Sequence, residues 1–145
     1  MKIAVGADHA GYELKQRLAK LLVRQGHEVL DLGTHDTQSV DYPDFAGAVA
    51  CAVADGRAER GLLVCGTGIG MSIRANREPA VRAAKCNDPF EARMARAHND
   101  ANVLCLGARV IDASVAEELL GLFMSTPFEG GRHAVRVAKL TPDAC

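Results

Sequence analysis

The ten residues Leu62 to Met71, "LLVCGTGIGM", decide the fold. A short apolar run that stops at glycine reads as a strand buried on both faces, and the alternating glycines after it form a turn whose backbone N–H groups can approach an anion or a polar ligand. Cys65 then stands at the strand's carboxyl end, facing whatever the loop holds. A thiol there sees the positive end of the next helix and oriented N–H groups, the setting in which cysteine acts as a thiolate base or nucleophile. The same position also suits a small buried hydrophobe, the commoner fate of a cysteine.

Upstream, "KIAVG" (2–6) reads as a strand and "GYELKQRLAKLLVRQG" (11–26) as a helix, with Leu14, Leu18, Leu21 and Leu22 on one face and Gly26 as its stop. "HEVLDLG" (27–33) is a second strand, "THDTQSVDYPD" a polar loop, and "FAGAVACAVADG" (45–56) a tightly packed helix. Downstream, a helix begins near Met71, "AVRAAKC" (80–86) is a strand, and "DPFEARMARAHN" (88–99) is a helix with Pro89 in its first turn. "ANVLCLG" (101–107) is the fifth strand, "DASVAEELLGLFMS" (112–125) a helix capped by Asp112 or Ser114, and "GGRHAVRVAKL" (130–140) a short last helix. This alternation predicts an α/β fold of three layers, α/β/α, around a five-stranded parallel sheet, Rossmann-like and doubly wound. Residues 1–145 fit one domain. The loops starting at Gly6, Gly33, Cys65, Cys86 and Gly107 converge on one edge, where such folds bind ligands.

With 17 basic and 18 acidic residues and a net charge of −1, the chain lacks the basic excess of a nucleic-acid or anionic-membrane surface. The start, "MKIAVGADHA", has no signal-peptide core, and no run of eighteen apolar residues occurs, so a soluble cytoplasmic protein is expected. Cys51, Cys65, Cys86, Cys105 and Cys145 are odd in number and lack CxxC spacing, which predicts reduced thiols, with Cys51 and Cys105 as packing residues. Gly66-Thr-Gly-Ile-Gly70 falls one position short of the dinucleotide fingerprint and has no Walker lysine, which speaks against a nucleotide. Asp8, His9, His35 and Asp36 could gather at the loop edge, yet no HxH or HxxxH pair exists, and no metal is expected.

His9 follows Asp8 directly after the first strand. His98 closes the fourth helix and points away from the ligand edge unless a second subunit brings it back, which suggests a site shared across a dimer. A histidine stabilising a helix C-terminus is the plainer alternative. Arg132 and Arg136, four apart on the last helix, and Arg109 after the fifth strand could clamp a phosphate through forked hydrogen bonds, although such pairs are mostly solvated surface.

Together, "GADHAGYELK", "DLGT", "DYP", "CGTGIGMSI", "VRAA", "AHNDANVLCLGARV" and "EGGRHAVRV" resemble the ribose-5-phosphate isomerase B family, which also contains galactose-6-phosphate isomerase subunits. The resemblance covers nearly all of residues 2–138. It implies interconversion of an aldose phosphate and its ketose through a cis-enediolate, without metal or other cofactor. It makes Cys65 the base between C1 and C2, and has the N–H groups of Gly66, Gly68, Ile69 and Gly70, with the Thr67 hydroxyl, stabilise the enediolate. His98 becomes the proton donor for ring opening, Asn99 holds a sugar hydroxyl, Asp8 and His9 bind substrate, and Arg109, Arg132 and Arg136 contact phosphate and sugar. Homodimers or dimers of dimers with interface sites, to which the helix at about 130–140 contributes, are likewise implied. Arg74, Arg77 and Lys85 depart from the usual pattern. A six-carbon sugar phosphate (allose or galactose 6-phosphate), a non-catalytic sugar-phosphate sensor and a flavodoxin-like nucleotide module are the rival readings.

Overall fold

The computed structural model describes residues 1–140, and Cys145 lies outside them. In chain order the elements are β1 (Lys2–Ala7), α1 (Tyr12–Arg24), β2 (Glu28–Asp31), α2 (Tyr42–Ala54), β3 (Arg60–Cys65), α3 (Ile69–Ala75), β4 (Ala83–Lys85), α4 (Pro89–Ala97), β5 (Val103–Gly107), α5 (Ala113–Ser125) and α6 (Arg132–Ala138). The strands are all parallel, in the order β2-β1-β3-β5-β4. Each predicted element is present.

Successive strand side chains point to opposite faces, so an apolar strand feeds two cores. Ile3, Val5, Leu62, Val64, Leu104 and Leu106 pack against Leu18 and Leu22 of α1, Ala92 of α4, and Leu119 and Phe123 of α5. Ala4, Leu63, Cys65, Val103 and Cys105 face the other way, against Ala46, Val49 and Ala50 of α2 and Met71 and Ala75 of α3. Cys65 therefore ends the strand on the face covered by the two small-residue helices.

Boundaries differ where local chemistry extends an element. α2 begins at Tyr42, three residues earlier than the apolar run suggests, because extended Asp41 occupies its N-cap and Pro43 fits the first turn. Asp112 is the N-cap of α5, but neither it nor Ser114 makes a side-chain cap bond there. Cys105 is fully buried as expected, whereas Cys51 falls on the solvent side of α2 and is exposed, not a packing residue.

Lys15 is fully buried, and its Nζ donates to Asp31 Oδ1 at 2.6 Å and to the Thr34 carbonyl at 2.8 Å. Asp31 also accepts the Gly33 N–H at 2.9 Å. This paired charge ties α1 to the start of the long loop after β2, the loop that reaches His9 below. The sheet reverses direction of growth between β1 and β3, so the loops after those two strands diverge and leave a crevice at their carboxyl ends.

Candidate active site

Cys65 is 5% exposed at the mouth of that crevice. Its Sγ accepts the Gly68 N–H at 3.1 Å. Gly68 has φ +78°, a left-handed backbone that turns its amide back toward the sulfur and that residues with a Cβ rarely adopt. α3 has only seven residues, so the local amides face the thiol more than a long helix dipole does. Thr67 is exposed, and its Oγ1 accepts the Ile69 N–H at 3.3 Å, which leaves the hydroxyl hydrogen free for a ligand. Burial pushes the Cys86 thiol up to about 12 and Cys105 higher still, so those thiols stay protonated and inert.

Across the crevice, Asp8 Oδ1 accepts the N–H groups of Ala10 and Gly11, both at 3.0 Å, fixing the turn into α1. Its second oxygen remains for a ligand hydroxyl. His9 Nδ1 accepts the Val40 N–H at 3.2 Å, so the neutral ring carries its proton on Nε2. The loop anchored by Lys15 thereby sets the tautomer of a residue at the site.

Arg109 joins this end of the sheet: its backbone N–H donates to the Gly66 carbonyl at 3.0 Å, and its guanidinium lies over Gly66, 3.3 Å from where a Cβ would stand. The Tyr42 ring rests on Gly70, occupying the space of a Cβ there. Sequence reading placed Tyr42 in a loop and missed it as a site residue; the "DYP" triplet opening a helix after an extended Asp41 was the available signal. Arg74 lies against Gly47 on α2 rather than over Cys65.

His98 and Asn99 lie at the opposite end. α4 runs back along the sheet, and its C-cap His98 reaches the amino ends of the strands, where Asp100 terminates the helix with φ +45° and is held by Arg82 and Arg96. Asn99 borders a cavity of about 560 Å³ shared with Arg77, Glu78 and Arg82 and not with Cys65. A six-residue strand spans about 20 Å, so one chain does not bring His98 to Cys65. The expected three-arginine clamp also divides: Arg109 sits with the glycine loop, while Arg132 and Arg136 are exposed on α6, whose start is fastened to the His98 end by the Glu129 N–H donating to the Ala97 carbonyl at 3.0 Å. The start of α6 therefore lies by the His98 end of α4, not at the ligand edge of its own sheet.

His133, also unforeseen, stacks on His98 with ring centroids 4.1 Å apart and planes 8° from parallel. Glu129 Oε2 lies 3.8 Å from His98 Nε2 and 3.6 Å from His133 Nε2. Among the described residues these three form a group with ligand atoms within 4.8 Å of one another, whereas His35 and Asp36 are exposed and join no such group. Parallel stacked imidazoles cannot both aim a lone pair at one ion, and Arg132 and Arg136 flank them. The cluster suits proton and anion chemistry better than a metal.

Burial and then the neighbouring His98 and Arg132, with Arg136, hold His133 below its ordinary 6.5, against the opposing pull of Glu129. The unfolded chain then takes up this proton more readily than the native one. Stability contributed here is undiminished above about 6.5 and is lost as pH falls through the lowered native value. Urea midpoints measured from about pH 7 to about pH 5 should fall more steeply for the wild type than for His133→Gln. Equal slopes would refute the assignment.

Comparison with known proteins adds to this geometry. Residues 3–140 match the ribose/galactose isomerase family. Ribose-5-phosphate isomerase B of Escherichia coli K12 is 44% identical over 140 residues, covering 97% of this chain and 94% of that protein. D-erythrulose-4-phosphate isomerase of Pectobacterium atrosepticum is 43% identical, covering 97% and 93%. Among solved structures, ribose-5-phosphate isomerase B of Clostridium thermocellum superposes with a TM-score of 0.96 at 50% identity, covering 97% of this chain and 95% of that one. The Thermotoga maritima protein gives 0.95 at 48%, covering 98% of each. No helix among the described residues is long and apolar enough to cross a membrane.

Proposed function

Because this chain belongs to the ribose/galactose isomerase family and is a sugar-phosphate isomerase, we propose that it interconverts ribose 5-phosphate and ribulose 5-phosphate, with Cys65 as base, in an assembly of at least two copies. The observation that carries the reading is the thiol of Cys65, held by the Gly68 N–H at the head of a glycine loop and flanked by Asp8, Thr67 and Arg109.

The open-chain aldose gives its C2 proton to the Cys65 thiolate, forming a cis-enediolate. The same proton returns to C1, while O2 loses its hydroxyl proton and O1 gains one, so the product is the ketose and no oxidant is required. Positioned acid–base groups of this kind contribute about 10²–10⁴-fold. The amides of the glycine loop and the Thr67 hydroxyl, aimed at the enediolate oxygens, stabilise charge as it develops. Asp8 and the Nε2–H of His9 hold sugar hydroxyls. The chemistry calls on no metal or nucleotide.

The ring must open before C2 becomes acidic. His98 serves that step from a second copy of the chain, because its own copy holds it at the far end of the sheet. The same copy brings Asn99 to a sugar hydroxyl and Arg132 and Arg136 to the phosphate, opposite Arg109. A homodimer or a dimer of dimers satisfies this requirement, with α6 at the interface.

Purified protein treated with a chelator should form ribulose 5-phosphate from ribose 5-phosphate at about 1–10³ s⁻¹. Allose 6-phosphate, galactose 6-phosphate and erythrulose 4-phosphate form the comparison set, since one carbon more or less shifts kcat/KM by only about 10–200-fold. A higher kcat/KM for any of these would replace the five-carbon assignment. Binding without turnover of any would replace the enzyme by a sensor.

A further inference from the structure

Resting on the reading of His98 as the ring-opening acid, we propose that Glu129 and His133 are its positioning residues, the first setting a negative charge beside its ring edge and the second fixing the plane of its ring. The histidine side chain ends in a broad torsion that a stacked neighbour can lock. His133 supplies such a neighbour, with ring centroids 4.1 Å apart and planes within 8°. One carboxylate oxygen of Glu129 faces both Nε2 atoms, at 3.8 and 3.6 Å.

Two observations separate this arrangement from packing. The His133 side chain is only 7% exposed, yet its Nε2 has no hydrogen-bond partner. A buried polar atom without a partner is rare and unfavourable, and a leucine would fill the space without it. Glu129, by contrast, is 56% exposed, so its carboxylate contributes little to stability through these long contacts. The groups facing the histidine pair are His98 at the end of α4, Glu129 in the preceding loop, and Arg132 and Arg136 on α6. Arg132 and Arg136 disfavour a proton on His133.

In the step itself the C1–O4 bond of the furanose breaks and its electron pair stays on O4, which takes a proton from the His98 ring. The C1 hydroxyl releases its proton to water, C1 and O1 become the aldehyde, and His98 is reprotonated from water. No net proton is consumed.

Ribulose 5-phosphate provides the test, because its C5 oxygen is esterified and it cannot close to a furanose; it enters already open. Rates are measured in both directions for Glu129→Gln, His133→Ala, His133→Phe and, as reference, His98→Asn. The loss from ribose 5-phosphate should exceed the loss from ribulose 5-phosphate by about tenfold or more in His133→Ala and His98→Asn, within the range of an acid–base group. Glu129→Gln should show a smaller split of the same sign. His133→Phe, which restores a flat ring, should recover part of the His133→Ala loss. Equal losses in both directions for the His133 and Glu129 variants, beside a clear split in His98→Asn, would overturn the positioning role and leave the function standing. Absence of a split in His98→Asn would overturn the His98 assignment and this inference with it.

Discussion

Cys65→Ala should lower turnover of ribose 5-phosphate by about 10²–10⁴-fold while the protein still folds, because the substitution removes the only group proposed to carry the proton from C2 to C1. The side chain is small and sits at the end of β3 on the face packed by α2 and α3, so its loss leaves little unfilled space. The buried Gly68 N–H loses its acceptor, which costs about 1–3 kcal/mol, so the melting temperature should fall while the fold holds. Cys65→Ser separates geometry from basicity: the hydroxyl keeps an acceptor for Gly68 but is a far weaker base, so it too should be nearly inactive. Thermal melting beside steady-state rates checks both variants. Retention of more than about a tenth of the wild-type rate in either, well short of a general base's contribution, would remove Cys65 from its role.

Gly107→Ala should damage activity almost as strongly without touching a reacting group. Gly107 pairs with Cys65 in register across β3 and β5, and the backbone of Thr67 crosses directly over it. A Cβ at position 107 would lie 2.7 Å from both the carbonyl carbon and oxygen of Thr67, and backbone cannot swing aside as a side-chain tip can. The glycine loop must lift. A displacement near 1 Å at a site of this kind costs about 10²-fold in rate, and kcat should fall with it. Crowding of this sort also destabilises, by about 1–3 kcal/mol, so the melting temperature should drop by several degrees. A variant with wild-type kcat would mean that the loop's exact height does not matter.

The layered fold was legible because "LLVC" and "VLCLG" are apolar on both faces and the helices between strands carry one-face spacing, as Leu14, Leu18 and Leu22 do. Local pattern carries that much. It also placed Cys65, Asp8 and Arg109, since each ends a strand or follows one within two residues, and strand ends in a parallel sheet share an edge. Arg132 and Arg136 were read onto that edge because helical spacing reports a face, not the end of the sheet to which the helix is fastened; the Glu129 to Ala97 hydrogen bond decides that and leaves no trace in periodicity. Tyr42 and His133 escaped notice for related reasons. One depends on the close approach of α2 to Gly70, and the other on a stacking partner 35 positions away in sequence. The His98 mismatch, in contrast, was readable from helix direction alone.

The separation of Cys65 and His98 to opposite ends of the sheet has a consequence for the life of the chain. Under the proposed reading, a newly synthesised copy finishes folding with two halves of two different catalytic centres and none complete. It cannot open the ribose ring until it meets another. Its specific activity is then a property of encounter: on dilution below the dissociation constant of the pair, rate should fall with the square of chain concentration, while each chain remains as folded as before.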